Sequence, residues 1–163
     1  MKKLLLIKLI FWITLGGISP QSIDKNRIEY LCERQYFLDN VYDMPFSVEN
    51  LRRALEYSGI QHAEIVFFQA ILETGNFTSE IFLRGQNLFG LKPARKRETT
   101  NIGEFNYHSI YKHWFDSILD LKLLQEYWND KGYSIDDYYV FLQSIRYATD
   151  PLYIKKLKSI NIS

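Results

Sequence analysis

Apolar residues recur at helical spacing through most of the chain, and this periodicity is what most constrains the fold. One segment shows it with both ends marked: Ser47 is placed to act as an N-cap, and Gly59 as the C-terminal cap. The same signals predict helices over about 24–39, 47–58, 63–73, 112–129 and 134–147, a turn of helix at 78–83, and a last helix capped by Asp150-Pro151. Such a chain folds as a mainly helical domain.

The helical pattern is broken once, between residues 92 and 111. This interval contains Pro93, a polar stretch, Gly103 and then alternating residues through Phe105 and Tyr107. Alternation after a turn-forming glycine is typical of short strands. We therefore predict an irregular loop that carries a small β-hairpin.

The composition limits the chemistry that the chain can perform. With 163 residues it has the length of one domain. Its single cysteine, Cys32, cannot form an internal disulfide, and three poorly spaced histidines do not make a metal site. We expect neither a metal nor another cofactor.

The first 20 residues have the order of a secretory signal. Two lysines precede an apolar run, and small and polar residues follow it. The run is short for a membrane span, which needs about 20 apolar residues, although an uncleaved anchor is the alternative. We expect export to the periplasm or the extracellular space, no stable membrane insertion after cleavage, and a single catalytic domain over residues 21–163.

The charge does not favour a nucleic-acid partner. Removing the three lysines of the signal takes the formal net charge from +1 to −2. A nearly neutral protein has no field that attracts phosphate backbones. The one basic cluster, Arg95-Lys96-Arg97, is short, and we interpret it as a solvated loop.

Glu73 is an acidic residue in an unfavourable place. It ends an apolar line formed with Val66 and Ala70, beside a second stripe, Ile65-Phe68-Leu72, that we predict to face the core. Gly75 is expected to cap the helix, so Glu73 falls in the last turn, where the helix dipole disfavours a negative charge.

Burial and the helix dipole would both raise the pKa of Glu73. A carboxyl group that keeps its proton near neutral pH can donate it to a leaving oxygen, as glycoside hydrolysis requires. The alternative is a surface glutamate at a frayed helix end or one paired with a basic side chain.

Three ordered motifs resemble those of the bacterial glucosaminidases of glycoside hydrolase family 73. The first is QAILETGNFTSEIFLRGQNLFGLK, with a Glu-Thr-Gly helix end followed by Asn-Leu-Phe-Gly. The others are YKHWFDSILDL and the closing RYATDPLYIKKL. Together they span residues 69–157 in the family's order.

The resemblance implies a lysozyme-like, mainly helical fold with a small β-hairpin lobe beside a substrate groove. It also implies cleavage of peptidoglycan between N-acetylglucosamine and N-acetylmuramic acid. Glu73 then matches the general acid, Asn87 to Gly90 match the loop that lines the groove, and Tyr147 matches the tyrosine placed close to the acid. We predict that Asn87, Phe89, Tyr147 and Gln69, one helical turn before Glu73, contact the substrate.

The second carboxylate is less well defined, because no Thr-x-Glu pattern of the family occurs here. Glu104 follows the Gly103 turn and is our preferred candidate over Glu98, which lies in the charged cluster. Assistance by the substrate's acetamido group is the third possibility. Tyr107 and Phe105 are candidates for stacking on a sugar.

The leading hypothesis is an endo-β-N-acetylglucosaminidase that binds peptidoglycan glycan strands and acts as a monomer. A lysozyme-like muramidase or lytic transglycosylase would keep the fold and cut the other glycosidic bond. A non-catalytic glycan-binding module is the hypothesis from another class.

Overall fold

The structure, a computed structural model, describes residues 25–160, so the predicted signal segment 1–20 lies outside the described residues. These residues divide into two compact units, one ending at Asp43 and one beginning at Met44. The described part of the first unit consists of helix α1, Lys25–Asn40, and a 3₁₀ turn, Val41–Asp43. The predicted first helix is confirmed to within a residue at each end.

The second unit holds six helices and one β-hairpin within its described residues. Their bounds are Val48–Ser58 (α2), Ala63–Thr74 (α3), Glu80–Gly85 (α4), Gly103–Phe105 (β1), His108–Ile110 (β2), Trp114–Asp130 (α5), Tyr138–Ser144 (α6) and Tyr153–Lys158 (α7). The strands pair antiparallel, with Glu104 opposite Ser109. The mainly helical, lysozyme-like fold with a small hairpin is confirmed.

Helix α2 is central to the packing of this unit. It contacts α3 and α5, while α3 also contacts α7 and α4 contacts β2. Its predicted stripe of Leu51, Ala54 and Leu55 is buried, with α5 contributing Trp114 and Ile118 to the core. None of the helices within residues 25–160 has the length and apolar character that a membrane span requires.

The capping signals are confirmed for two helices. The Ser47 side chain accepts a hydrogen bond from the Asn50 backbone N–H, and Gly59 ends α2 in the left-handed region at φ 70°. Gly75 ends α3 at φ 55°, and its N–H donates to the carbonyls of Ile71 and Leu72. The last two residues of α3 are therefore Glu73 and Thr74.

The predicted starts of α6 and α7 were wrong. Ser134 does not begin α6, because its hydroxyl donates to Asp136; Asp137 is the N-cap instead and accepts from the Tyr139 and Val140 N–H groups. Helix α7 begins at Tyr153 rather than at Pro151, since the Asp150 side chain closes a turn by accepting from the Leu152 N–H.

The predicted core face of α3 was also wrong. Val66, Phe67 and Ala70 are buried, whereas Ile65, Phe68 and Leu72 are only partly buried. Apolar residues surround most of this helix, so their spacing alone could not identify which side would meet the core.

Candidate active site

Glu73 lies in the last turn of α3, where the following turn is held by its neighbour Thr74. The buried Thr74 hydroxyl donates to the Ala70 carbonyl at 2.6 Å and accepts from the Phe77 N–H at 2.8 Å. The chain then passes through Asn76 and Phe77, both with positive φ. Threonine in the Glu-Thr-Gly motif therefore fixes the path of the backbone directly after the acid.

The environment of Glu73 favours its protonated form. Burial raises the pKa of its carboxyl above the ordinary 4.5, and the hydroxyl of Tyr153 lowers that pKa to a smaller extent. The position at the carboxyl end of α3 acts in the same direction as burial and contributes about 0.3–1 kcal/mol. Glu73 therefore has the environment that was expected from the sequence.

The Asn-Leu-Phe-Gly loop lies directly against this carboxyl. Gly90 adopts φ +62°, and a Cβ built on it would stand 3.0 Å from Oε2 of Glu73. Only glycine combines this left-handed backbone with so close an approach. The loop and the helix end, 17 residues apart in the sequence, thus meet at the carboxylate.

Asn87 shapes that loop from inside. Its side chain is buried; the amide nitrogen donates to the carbonyls of Leu91 and Ser109, and the amide oxygen accepts from the N–H groups of Phe89 and Leu91. Both amide hydrogens and the amide oxygen are used in these contacts. A direct contact of Asn87 with substrate stays a prediction.

Tyr147 is placed between the loop and the acid. Its hydroxyl donates to the Phe89 carbonyl at 2.6 Å. Burial raises the pKa of its phenol well above 10.0, and the charge of Glu73 raises it further. Tyr147 therefore stays protonated beside Glu73, and its hydrogen holds the Phe89 carbonyl in place.

Gln69, one helical turn before Glu73, belongs to a set of buried polar side chains. It is fully buried, and its amide oxygen accepts from the Tyr138 hydroxyl at 2.8 Å. Tyr153, the first residue of α7, has its ring 5.9 Å from that of Tyr147. Tyr153 lies within the closing motif RYATDPLYIKKL, but no role was predicted for it; its spacing from Tyr147 was the available signal.

Glu104 and Tyr107 lie on the hairpin, Glu104 in β1 and Tyr107 in the turn. Glu104 is exposed on β1, and Glu98 is exposed in the preceding loop. Tyr107 is 80% exposed at the hairpin turn, where it and Asn106 both have positive φ. Phe105 is partly covered by Arg84, whose guanidinium lies 4.2 Å from the ring centroid.

One member of the basic cluster is not solvated, which corrects the sequence analysis. Arg95 and Lys96 are exposed, but Arg97 pairs with the fully buried carboxylate of Asp120 on α5 at 2.6 Å. The Tyr111 hydroxyl donates to the other Asp120 oxygen at 2.6 Å. The loop before the hairpin is thus fastened to the helical core.

Comparison with known families gives one match. The family model described as mannosyl-glycoprotein endo-beta-N-acetylglucosaminidase matches residues 48–162, which contain all the site residues described above. No curated protein and no solved structure gives a significant match. The resemblance to glycoside hydrolase family 73 is confirmed.

Proposed function

The chain belongs to the mannosyl-glycoprotein endo-beta-N-acetylglucosaminidase family, and on that basis we propose that it hydrolyses peptidoglycan. The proposed bond is the β-1,4 link between N-acetylglucosamine and N-acetylmuramic acid, with Glu73 as general acid. The partner is the glycan strand of the wall.

One observation supports this proposal most strongly. The Glu73 carboxyl, whose pKa is raised by burial, lies against Gly90 of the Asn-Leu-Phe-Gly loop, a position that leaves no room for a larger residue. An acid whose pKa is raised by burial and which is held by a fixed backbone is suited to deliver a proton to a leaving oxygen.

The proposed reaction uses side chains alone. Glu73 gives its proton to the glycosidic oxygen while the bond from that oxygen to the sugar C1 breaks, which leaves positive charge on the sugar ring. Water then adds to C1, and its proton passes to a second group. The exposed carboxylate of Glu104 is our preferred second group, and that of Glu98 is the alternative. In the third possibility the substrate's acetamido oxygen first bonds to C1; water then breaks that bond and returns a proton to the Glu73 carboxylate.

The proposed substrate contacts surround this centre. Tyr107, exposed at the hairpin turn, offers a free aromatic face for stacking on a sugar. Phe89 and Tyr147 shape the wall beside Glu73 through the hydrogen bond that joins them. Gln69 and Asn87 are buried. Asn87 supports the loop through its hydrogen bonds, Gln69 binds Tyr138, and we propose that both contribute to substrate binding.

The cellular setting follows from the substrate. We propose that residues 1–20 direct export and that the exported protein acts on the wall as a monomer in the periplasm or outside the cell. No nucleic-acid partner and no lasting membrane insertion are part of this proposal.

Product analysis of digested peptidoglycan tests the bond specificity. We expect mass spectrometry of fragments from purified sacculi to show N-acetylglucosamine at the reducing ends. Reducing-end N-acetylmuramic acid would indicate a muramidase, and its anhydro form a lytic transglycosylase. Binding to sacculi without any soluble product would indicate a glycan-binding module. Each of these three results would contradict the proposal.

Replacing Gly90 by alanine should displace the general acid. The new methyl group would press on Oε2 of Glu73 at 3.0 Å. Because a misplacement of about 1 Å can cost around 100-fold in rate, we expect kcat for muropeptide release to fall about 10- to 100-fold. Initial rates on purified sacculi measure this effect.

Gly132 provides the matched control for the backbone. It also has a positive φ, +86°, but a Cβ there has no neighbour within 4 Å. Gly132→Ala should therefore carry the same kind of backbone strain and keep its activity. Equal losses of activity in the two variants would show that strain, and not contact with Glu73, is the cause.

A further inference from the structure

Two buried polar atoms lack a hydrogen-bond partner within residues 25–160, and both belong to side chains close to Glu73. They are the amide nitrogen of Gln69 and the hydroxyl of Tyr153. Gln69 is fully buried, and Tyr153 is 8% exposed. Buried polar groups are almost always hydrogen-bonded, so two such atoms in one place require an explanation.

Tyr153 connects the other two side chains. Its hydroxyl interacts with the Glu73 carboxyl, and the Gln69 side chain also interacts with Tyr153. None of these contacts has the geometry of a closed hydrogen bond in the free protein. Catalytic hydrogen bonds are often long in the free enzyme and tighten only when the substrate is bound.

The hydroxyl hydrogen of Tyr147, the other phenol beside Glu73, already has an acceptor. Tyr147 faces the acid from the segment after α6, but its hydrogen is donated to the Phe89 carbonyl. Tyr138 of α6 likewise donates to Gln69. Tyr153 is thus the remaining phenol of this cluster whose hydrogen is available to the carboxylate.

One charged side chain of α2 packs on α3, but it contacts a residue other than Glu73. The guanidinium of Arg52 lies over the Phe67 ring, 3.8 Å from its centroid. Tyr111, which follows β2, acts electrostatically on Tyr147 and donates its own hydrogen to Asp120. Arg52, Tyr138 and Tyr111 therefore each have a partner other than Glu73.

Tyr153 is held in place from its own end of the chain. It is the first residue of α7, which packs against α3, and its N–H donates to the Asp150 carbonyl at 3.1 Å. Asp150 also pairs with Lys156 at 2.6 Å, which closes the first turn of α7. The Asp-Pro-Leu-Tyr sequence thus carries the phenol to the acid.

We propose that Tyr153 is a positioning residue for Glu73: its hydroxyl donates a hydrogen bond to the carboxylate formed when Glu73 gives up its proton, while the Gln69 amide donates to the same hydroxyl. No proton leaves Tyr153 in this step. A hydrogen bond to a charged acceptor is stronger than one to a neutral group, so the contact gains strength as the glycosidic bond breaks. The proposal rests on Glu73 being the general acid.

Tyr153→Phe tests the proposal through the pH profile of peptidoglycan hydrolysis. The Tyr153 hydroxyl lowers the pKa of Glu73, so its removal should raise that pKa further and move the alkaline limb of the profile to higher pH. We also expect kcat to fall about tenfold with KM nearly unchanged, because the contact strengthens only as charge develops. A merely structural role would not move the pH profile.

Tyr139→Phe is the matched control, since Tyr139 lies on α6 and its ring contacts Lys158 of α7. It should keep both the wild-type rate and the wild-type profile. An unchanged profile in Tyr153→Phe would overturn the proposal.

A second measurement separates this proposal from the proposed function. Titration of the ¹³C-labelled Glu73 carboxyl by NMR needs no activity, and it should give a higher pKa in Tyr153→Phe than in the unsubstituted protein. Equal pKa values would overturn the role of Tyr153 even if the enzyme is active. Unequal values together with an inactive unsubstituted protein would overturn the proposed function alone.

Discussion

Glu73→Gln should release almost no muropeptides from purified sacculi. Glutamine keeps the size and polarity of the side chain but cannot donate the proton that the leaving oxygen needs. General acid catalysis contributes about 10²- to 10⁴-fold, so we expect a loss in kcat of that size. Dye release from labelled sacculi, followed over hours, has the range to measure it.

The fold should survive this substitution. The Glu73 side chain takes part in no ion pair in the described structure, and burial disfavours its charge. Its pKa is higher in the folded than in the unfolded state, so its ionisation opposes folding as the pH rises through the folded pKa. The melting temperature of Glu73→Gln at neutral pH should therefore equal or exceed that of the parent protein.

Two other carboxylates provide the comparison. Glu98→Gln should keep its activity, because we interpret Glu98 as a solvated side chain. Glu104→Gln should lose activity if this residue takes the proton of the water, and should keep its activity if the acetamido group of the substrate assists at C1 instead. Full activity in Glu73→Gln would contradict the proposed mechanism whatever the other two variants do.

Arg97→Met should strongly lower the free energy of unfolding. It would leave the Asp120 carboxylate, which is fully buried, with the Tyr111 hydroxyl as its remaining partner. Removing one member of a buried pair costs about 3–5 kcal/mol, because the other charge stays in a medium that solvates it poorly. For a domain of this size we expect the melting temperature to fall by on the order of 10 °C.

Arg95→Met is the control for this substitution. Arg95 lies two residues earlier in the same loop and is exposed, so its loss should change the melting temperature little. Calorimetry or thermal circular dichroism measures both variants. Equal melting temperatures for Arg97→Met and the parent would show that the buried pair contributes no net stability.

The helices could be predicted where a local signal marks their ends. Ser47, Gly59 and Gly75 act through backbone contacts within a few residues, so the sequence around them was sufficient. The starts of α6 and α7 were misplaced because Ser134 and Asp150 form turns with near neighbours. Competition between a cap and a turn depends on side-chain geometry that spacing does not contain.

Part of the site could also be predicted. Glu73 stood out because it is a charged residue on an apolar helix end. Its approach to Gly90 depends on how the loop folds back, which the resemblance suggested and the residues alone did not. Arg97 was misjudged because its partner, Asp120, lies 23 residues away and is brought near only by packing.

Direct titration of Glu73 tests the premise of the mechanism, which is that burial raises the pKa of this carboxyl. The measurement is the ¹³C chemical shift of its Cδ as a function of pH in the full protein. We expect a midpoint clearly above the ordinary 4.5 and a fall in hydrolysis as the pH rises through that midpoint. A midpoint at the ordinary value, with the carboxylate ionised at the pH of hydrolysis, would contradict it.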